Sequence, residues 1–195
     1  ISNLNYNTYG TSKLSNFKIL NVLQKENYSK FDIKISLPGT KKNFIKNIKI
    51  PLIGLHNIRN STAAAAVAFS VGIPIKIIKK GLEKFSGVQR RFTKIFSYRN
   101  VSFFDDYAHH PTEIIEVLDG VREVYKNKEI VCIFQPHRIS RLKNLHDEFS
   151  KSFKKADTVI LCPIFKAGEN IKLPFTYDNF AKKIIKKSNV RLITI

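Results

Sequence analysis

The side chains able to do chemistry in this 195-residue chain gather in a few short segments. Asp105-Asp106-Tyr107-Ala108-His109-His110-Pro111 follows one apolar run. Gln135-Pro136-His137-Arg138, with Arg141 close behind, follows a second, and Pro163-Ile164-Phe165-Lys166-Ala167-Gly168-Glu169 follows a third. Four of the five histidines (His56, His109, His110 and His137) lie in these segments or in Gly54-Leu55-His56-Asn57-Ile58-Arg59-Asn60, which leaves only His146 on an expected helix face. Tandem carboxylates at a strand end can cap the next helix, hold ribose hydroxyls or bind a magnesium ion. Adjacent histidines point in different directions, so His109 and His110 are not expected to share a metal. Arg138 and Arg141 stand three apart at the mouth of a helix, an arrangement that suits a carboxylate or phosphate; surface ion pairing is the plainer alternative. Asn57 and Asn60 share a helical face, and their amides offer the paired donor and acceptor of a purine edge, although capping explains part of that pattern. Arg90-Arg91-Phe92 sits at the expected domain boundary, a position from which a guanidinium can reach a phosphate held between two domains.

Those segments need elements to position them. Ile33, Ile35 and Leu37 alternate with polar residues, Pro38-Gly39-Thr40 turns, and Ile48, Ile50 and Leu52 alternate again, so residues 1–53 read as strand-rich. The small-residue run from Ser61 to Ala68 predicts a tightly packed helix ending at Gly72-Ile73-Pro74, and Ile77, Ile78 and Leu82 mark one side of a second helix over 75–85. Ser86-Gly87-Val88 breaks the pattern and divides the chain into 1–88 and 89–195. Beyond it, Val101–Phe104, Ile130–Phe134, Thr158–Cys162 and Arg191–Ile195 read as strands. Between them, helices are marked by Pro111 with Ile114, Val117, Leu118 and Val121, by Leu142, Leu145, Phe149 and Phe153, and by Phe180, Ile184 and Ile185. The alternation predicts an α/β class, a Rossmann-like and mostly parallel sheet with helices on both faces and Ile130–Phe134 buried on both sides. In such a sheet the three polar segments emerge together at the carboxyl ends of the strands, where open α/β sheets bind ligands.

Composition narrows the classes. The net charge is +19, from 34 Lys+Arg against 15 Asp+Glu, and 43% of residues are hydrophobic, enough for a core and too many for a disordered basic tail. No apolar run approaches the roughly 18 residues of a spanning helix, and Ile1-Ser2-Asn3-Leu4-Asn5 has no signal-peptide pattern. Lysine pairs (Lys41-Lys42, Lys79-Lys80, Lys154-Lys155, Lys182-Lys183 and Lys186-Lys187) are spread along the chain, which favours solvated faces over a dedicated nucleic-acid surface. Cys132 and Cys162 sit in apolar runs without metal-ligand spacing and read as buried thiols of a reducing, cytoplasmic compartment. An Ile1 start and the absence of methionine read as a piece of a longer protein.

Together, Gly54-Leu55-His56-Asn57-Ile58-Arg59-Asn60, Gly87-Val88-Gln89-Arg90-Arg91-Phe92, Asp105-Asp106-Tyr107-Ala108-His109-His110-Pro111-Thr112-Glu113, Phe134-Gln135-Pro136-His137-Arg138 and Ala167-Gly168-Glu169 resemble the Mur ligase family in order and spacing, from Gly54 to near the C-terminus. Within the family the strings are most similar to the branch that adds alanine. The resemblance implies a cytoplasmic enzyme of peptidoglycan synthesis with UDP-binding, central ATPase and Rossmann-like C-terminal domains. Residues 1–88 would be the end of the central ATP-binding domain and 89–195 the C-terminal domain. It implies ATP and Mg2+ as cofactors, UDP-N-acetylmuramate and L-alanine as partners, and an acyl-phosphate intermediate. Carried over by motif, His56, Asn57 and Asn60 are the expected adenine and nucleotide contacts. Arg91 reaches the ATP phosphates, Asp106 lies near the ribose, and Tyr107 and His109 line the cleft. Arg91 and His109 are the expected catalytic groups, and His109, His137, Arg138 and Arg141 the expected substrate contacts. Ile139 departs from the tyrosine that relatives usually carry. No Gly-x-x-Gly-Lys-Thr phosphate loop occurs, nor the glutamate and histidine that would hold magnesium, so no residue here is an expected metal ligand and the chain alone is expected to be inactive. A noncatalytic nucleotide-binding remnant and a basic nucleic-acid-binding module are the alternatives.

Overall fold

In a computed structural model, residues 6–39 and 43–195 are described; Thr40, the Lys41-Lys42 pair and the Ile1–Asn5 start lie outside them. The chain forms two compact units, Ile1–Val88 and Gln89–Ile195.

In the first unit, β1 (Tyr9–Gly10), β2 (Phe17–Lys25), β3 (Tyr28–Ile35) and β4 (Asn43–Ile50) make one sheet in sequence order. β1 runs parallel to β2 and the other pairs are antiparallel. Alternation puts Phe17 and Ile19, Phe31, Ile33 and Ile35, and Ile48 and Ile50 on one buried face. A register shift between Phe31 and Ile33 adds a residue to β4, so Ile45 joins the same face despite its odd spacing from Ile48. That face packs against α1 (Leu55–Ser70) through Ile58 and Ala65, and against α2 (Ile75–Lys84) through Ile78. Ile77, expected on the packed side of α2, is exposed; Ile75, Ile78 and Leu82 form the inward stripe and Ile77 sits about a quarter turn away.

In the second unit, β5 (Thr93–Tyr98) and β6 (Val101–Asp105) form an antiparallel hairpin. The expectation that Val101–Phe104 opens the parallel sheet is corrected here. Arg99 (φ +44°) and Asn100 (φ +65°) are both left-handed, and a two-residue turn of that kind has the twist that folds a strand back on its predecessor. The parallel sheet is β7 (Val131–Phe134), β8 (Thr158–Leu161) and β9 (Arg191–Thr194), in that order. Cys132, Phe134, Val159, Leu161 and Leu192 face a core built with α3 (Pro111–Val124), α4 (Ile139–Lys151) and α5 (Tyr177–Ser188). The opposite face, with Val131, Ile133 and Ile193, is about half or more exposed, contrary to the expected burial on both sides. Strand order advances in one direction, and right-handed crossovers then place α4 and α5 on the same face. Cys132 and Cys162 are free, and burial, with Cys162 adding to it, pushes the Cys132 thiol up to about 12. Among the described residues no helix is long and apolar enough to cross a membrane.

Candidate functional site

At the end of β6, Asp106 fastens two segments together. One carboxylate oxygen accepts from the Phe92 amide at 2.8 Å and the other from the Ala108 amide at 2.6 Å, while the Tyr107 amide donates to the Arg90 carbonyl at 2.7 Å. Arg90 (φ +60°) and Phe92 (φ +49°) are both left-handed, so Arg91 stands between two unfavourable backbone conformations held by these bonds. Its guanidinium is half-exposed, with Nη1 3.8 Å from Glu113 Oε1. Arg90 turns the other way, onto Asp105 at 3.3 Å and over the Tyr107 ring at 4.8 Å.

Glu113 completes a capping box at the start of α3: its Oε2 accepts from the amides of His109 (3.0 Å) and His110 (3.2 Å), and His110 Nδ1 accepts from Thr112. Burial alone would raise this carboxyl. The His109 amide and charge, the His110 amide and the Arg91 charge outweigh it and hold Glu113 below its ordinary value. His109 Nδ1 lies 2.8 Å from the Tyr107 carbonyl and 3.6 Å from Glu113, with its ring edge-on to Tyr107. His109 thus faces the segment's interior and His110 serves as the helix cap.

The loops after β7 and β8 are joined as a continuation of the sheet. The Phe165 amide donates to the Pro136 carbonyl at 2.8 Å, the Arg138 amide to the Phe165 carbonyl at 2.9 Å, and Gln135 Nε2 to the Pro163 carbonyl at 3.1 Å. His137 pairs with Phe165 in this bridge, their rings 5.0 Å apart. Burial pushes the His137 imidazole below its ordinary value, and Arg141, Arg138 and His109 act in the same direction against Glu169. His109, Arg138, Arg141 and Glu169 thus all act electrostatically on His137. The His109 segment, however, leaves the separate β5–β6 hairpin, which corrects the expectation that all three polar segments emerge from one parallel sheet. Arg138 is exposed, and Arg141 is half-buried with Nη1 3.3 Å from the His137 carbonyl.

One sequence expectation changes here. The N-terminus of α4, offered as an anion site, is already filled: Glu169 accepts from the Ser140 amide at 2.8 Å and the Ser140 hydroxyl at 2.6 Å. Sequence reasoning named Glu169 only as part of a string and gave Glu113 and Ser140 no role. Glu113 had a local signal, three residues after its cap. Glu169 had none, because its partner lies 29 residues away.

In the first unit, Gly54 (φ +91°) caps α1, and a Cβ there would lie 2.5 Å from the His56 ring. Asn57 Nδ2 donates to the Ile53 carbonyl at 2.7 Å, so half of its amide secures the start of the helix while its oxygen is left for other contacts. His56 is half-buried and Asn60 is exposed.

The family description "Mur ligase, glutamate ligase domain" matches residues 90–194. A UDP-N-acetylmuramate–L-alanine ligase of Pelagibacter ubique is 65% identical over 191 residues, covering 98% of this chain and 41% of the relative. One of Bartonella tribocorum is 41% identical over 189 residues, 95% of this chain and 40% of the relative. The crystal structure of a UDP-N-acetylmuramate-alanine ligase from Thermotoga maritima superposes with a TM-score of 0.71 at 26% identity, covering 96% of this chain and 39% of that one. The chain spans about two fifths of the length of the curated relatives it matches.

Proposed function

The chain belongs to the Mur ligase family, and from that premise we propose that it is the later part of a cytoplasmic ligase of peptidoglycan synthesis that uses ATP to join L-alanine to UDP-N-acetylmuramate. The observation that carries this reading is the 65% identity across nearly the whole chain to a ligase of that name. In this reading residues 1–88 close the central ATP-binding domain and 89–195 form the C-terminal domain.

The chemistry asks for dense positive charge. A carboxylate is a poor electrophile until one of its oxygens attacks the γ-phosphorus of ATP and ADP departs. The amine of alanine then attacks the acyl carbon of the acyl phosphate, loses a proton, and inorganic phosphate leaves with its bonding pair. We assign Arg91 and His109 to the catalytic group, with Arg91 neutralising charge on the transferring phosphoryl group. His56, Asn57 and Asn60 take adenine and nucleotide contacts, and Asp106 and Tyr107 contact the nucleotide. His109, His137, Arg138 and Arg141 meet the substrate's anionic groups.

The residues present fit a nucleotide in part. Arg91 presents an exposed guanidinium on a backbone fixed from both sides, and Asn60 an exposed amide. Both Asp106 oxygens already accept backbone amides, so a ribose hydroxyl would use their remaining lone pairs. Magnesium does not fit: among the described residues no cluster of three His, Cys, Asp or Glu side chains could hold it. Its ligands would be the central-domain glutamate and histidine that the resemblance implies.

A coupled phosphate-release assay with ATP, L-alanine and UDP-N-acetylmuramate tests the reading. The chain alone should give no turnover. Expressed in frame with upstream sequence bearing a Gly-x-x-Gly-Lys-Thr loop, it should release phosphate only when all three substrates are present. Turnover by the chain alone, or release indifferent to alanine, would overturn it. Nanomolar DNA binding at physiological salt, weakening as salt rises, would favour the nucleic-acid module instead.

A further inference from the structure

Glu169 is an acidic group at this edge to which the family resemblance gives no role. Its loop turns through Ala167 (φ +52°) and Gly168 (φ +79°), closed by the Glu169 amide donating to the Lys166 carbonyl at 3.0 Å, and sends the carboxylate back onto α4. There it takes both the amide and the hydroxyl of Ser140. Those two donors hold the carboxyl below its ordinary value, with the Arg138 charge and the Ile139 amide adding to the effect.

α4 needs this help from outside because it carries no cap of its own. Its N-cap is Arg138, which supplies no side-chain acceptor and has φ +70°, a conformation residues with a Cβ rarely adopt. Two bonds from the β8 loop bracket that residue: Arg138 donates to Phe165, and Ser140, two residues on, donates to Glu169. The first turn of α4 is thereby pinned in position and direction. Arg138 leaves it at the cap and Arg141 one turn later.

We propose that Glu169 is a positioning residue for the anionic substrate group: by clamping Ser140 it holds Arg138 and Arg141 in place, and by filling the helix N-terminus it leaves the incoming anion to the guanidinium groups. This rests on the proposed reading that Arg138 and Arg141 contact a carboxylate or phosphate of the nucleotide-sugar substrate. A carboxylate built into the helix end prevents the substrate anion from docking on the α4 amides in a displaced pose. The ligand must then meet planar, two-pronged donors at a fixed spacing.

The test is an NMR titration of the full 195-residue chain with UDP-N-acetylmuramate. Losing both Ser140 bonds in Glu169→Ala should weaken binding by about tenfold, the factor that roughly one hydrogen bond to a charged group commands. Ser140→Ala loses only the hydroxyl bond and should weaken binding by about threefold, half of the tenfold loss on a free-energy scale. In both variants the amide coupling constant of Arg138, which reports φ, should move, and the first-turn amides of α4 should exchange faster. Faster exchange with unchanged affinity in Glu169→Ala makes Glu169 merely a helix cap and overturns the proposal. Should that variant fail to fold, Ser140→Ala decides: an altered Arg138 coupling with unchanged affinity is the refuting result. The double variant Arg138→Ala/Arg141→Ala separates the two ideas. If it binds as the parent does, or the parent does not bind, the reading of the arginines fails and the proposal falls with it. If it binds poorly while Glu169→Ala binds normally, only the proposal falls.

Discussion

Replacing Asp106 with alanine removes both acceptors that tie Arg90-Arg91-Phe92 to the end of β6. Each bond joins a carboxylate oxygen to a backbone amide, at 2.6 and 2.8 Å, and such bonds contribute about 1.5–3 kcal/mol when well shielded. Asp106 is half-buried, so water can reach the released Phe92 and Ala108 amides and the lower end of that range applies. Two bonds at the lower end give about 3 kcal/mol, less whatever water returns, hence a cost of about 2–3 kcal/mol. Arg90 and Phe92 make the loss larger locally, because their left-handed backbones would then be held chiefly by the Tyr107–Arg90 bond. For a unit of about a hundred residues that cost lowers the melting temperature by roughly 10 °C. Calorimetry reads the shift, and hydrogen exchange at Phe92 and Ala108 reads its location. Asp106→Asn, which retains one acceptor, should fall between the two. A shift in Asp106→Ala below about 2 °C, with exchange at both amides unchanged, would refute the claim that this carboxylate holds the Arg91 segment.

Three further outcomes follow from the same geometry. Gly54→Ala puts a Cβ against the His56 ring at φ +91°, and should cost about 1–3 kcal/mol in urea unfolding of the first unit; a neutral result would mean that the α1 start relaxes freely. Because the folded Glu113 carboxyl lies below its ordinary 4.5, it adds stability above that pH and the contribution disappears as pH falls through the folded value. Glu113→Gln should therefore flatten the acid limb of the stability profile while leaving the amide contacts of the cap, and an unchanged limb counts against the assignment. Cys132, its thiol pushed up to about 12, should resist iodoacetamide at pH 8 until the chain is unfolded in guanidinium, which mass spectrometry can follow.

The sequence made much of this architecture legible because its signals were local. Ile33, Ile35, Ile48 and Ile50 alternate as a half-buried strand pair must, and all four are buried. Pro111 after His110, with Glu113 at capping distance, marks the start of α3 to the residue. What stayed hidden depended on partners far along the chain. Val101–Phe104 is apolar in either setting, and only the turn at Arg99-Asn100 decides that it pairs backward with β5. Ile130–Phe134 reads as buried on both faces, yet Val131 and Ile133 are exposed because burial there depends on which side the crossovers pass. The joining of the loops after β7 and β8 was visible from strand ends; the origin of the His109 segment in a separate hairpin and the acidic residues' use as clamps were not.

That use bears on the excess charge. With 34 basic and 15 acidic residues, a simple expectation is that each strand-end carboxylate neutralises a neighbouring guanidinium. Asp105 does so with Arg90 at 3.3 Å, but the other three are used differently. Asp106 gives both oxygens to backbone amides, Glu113 gives one oxygen to two amides, and Glu169 gives both to Ser140. Apart from the 3.8 Å approach of Glu113 to Arg91, no carboxylate among the described residues comes within 4.0 Å of Arg91, Arg138 or Arg141. Carboxylates bonded to amides fix the loops, but they do not quench the arginines as a close bidentate pair would. An edge built this way keeps its guanidinium groups positioned and only partly compensated, a condition that favours binding of a phosphate or carboxylate. Neutralising one clamp should therefore disturb geometry first and local potential second, whereas removing an arginine should do the reverse. A salt titration of anion binding distinguishes the two classes: the Arg138→Ala slope should flatten, and the Glu169→Ala slope should stay parallel to that of the parent chain.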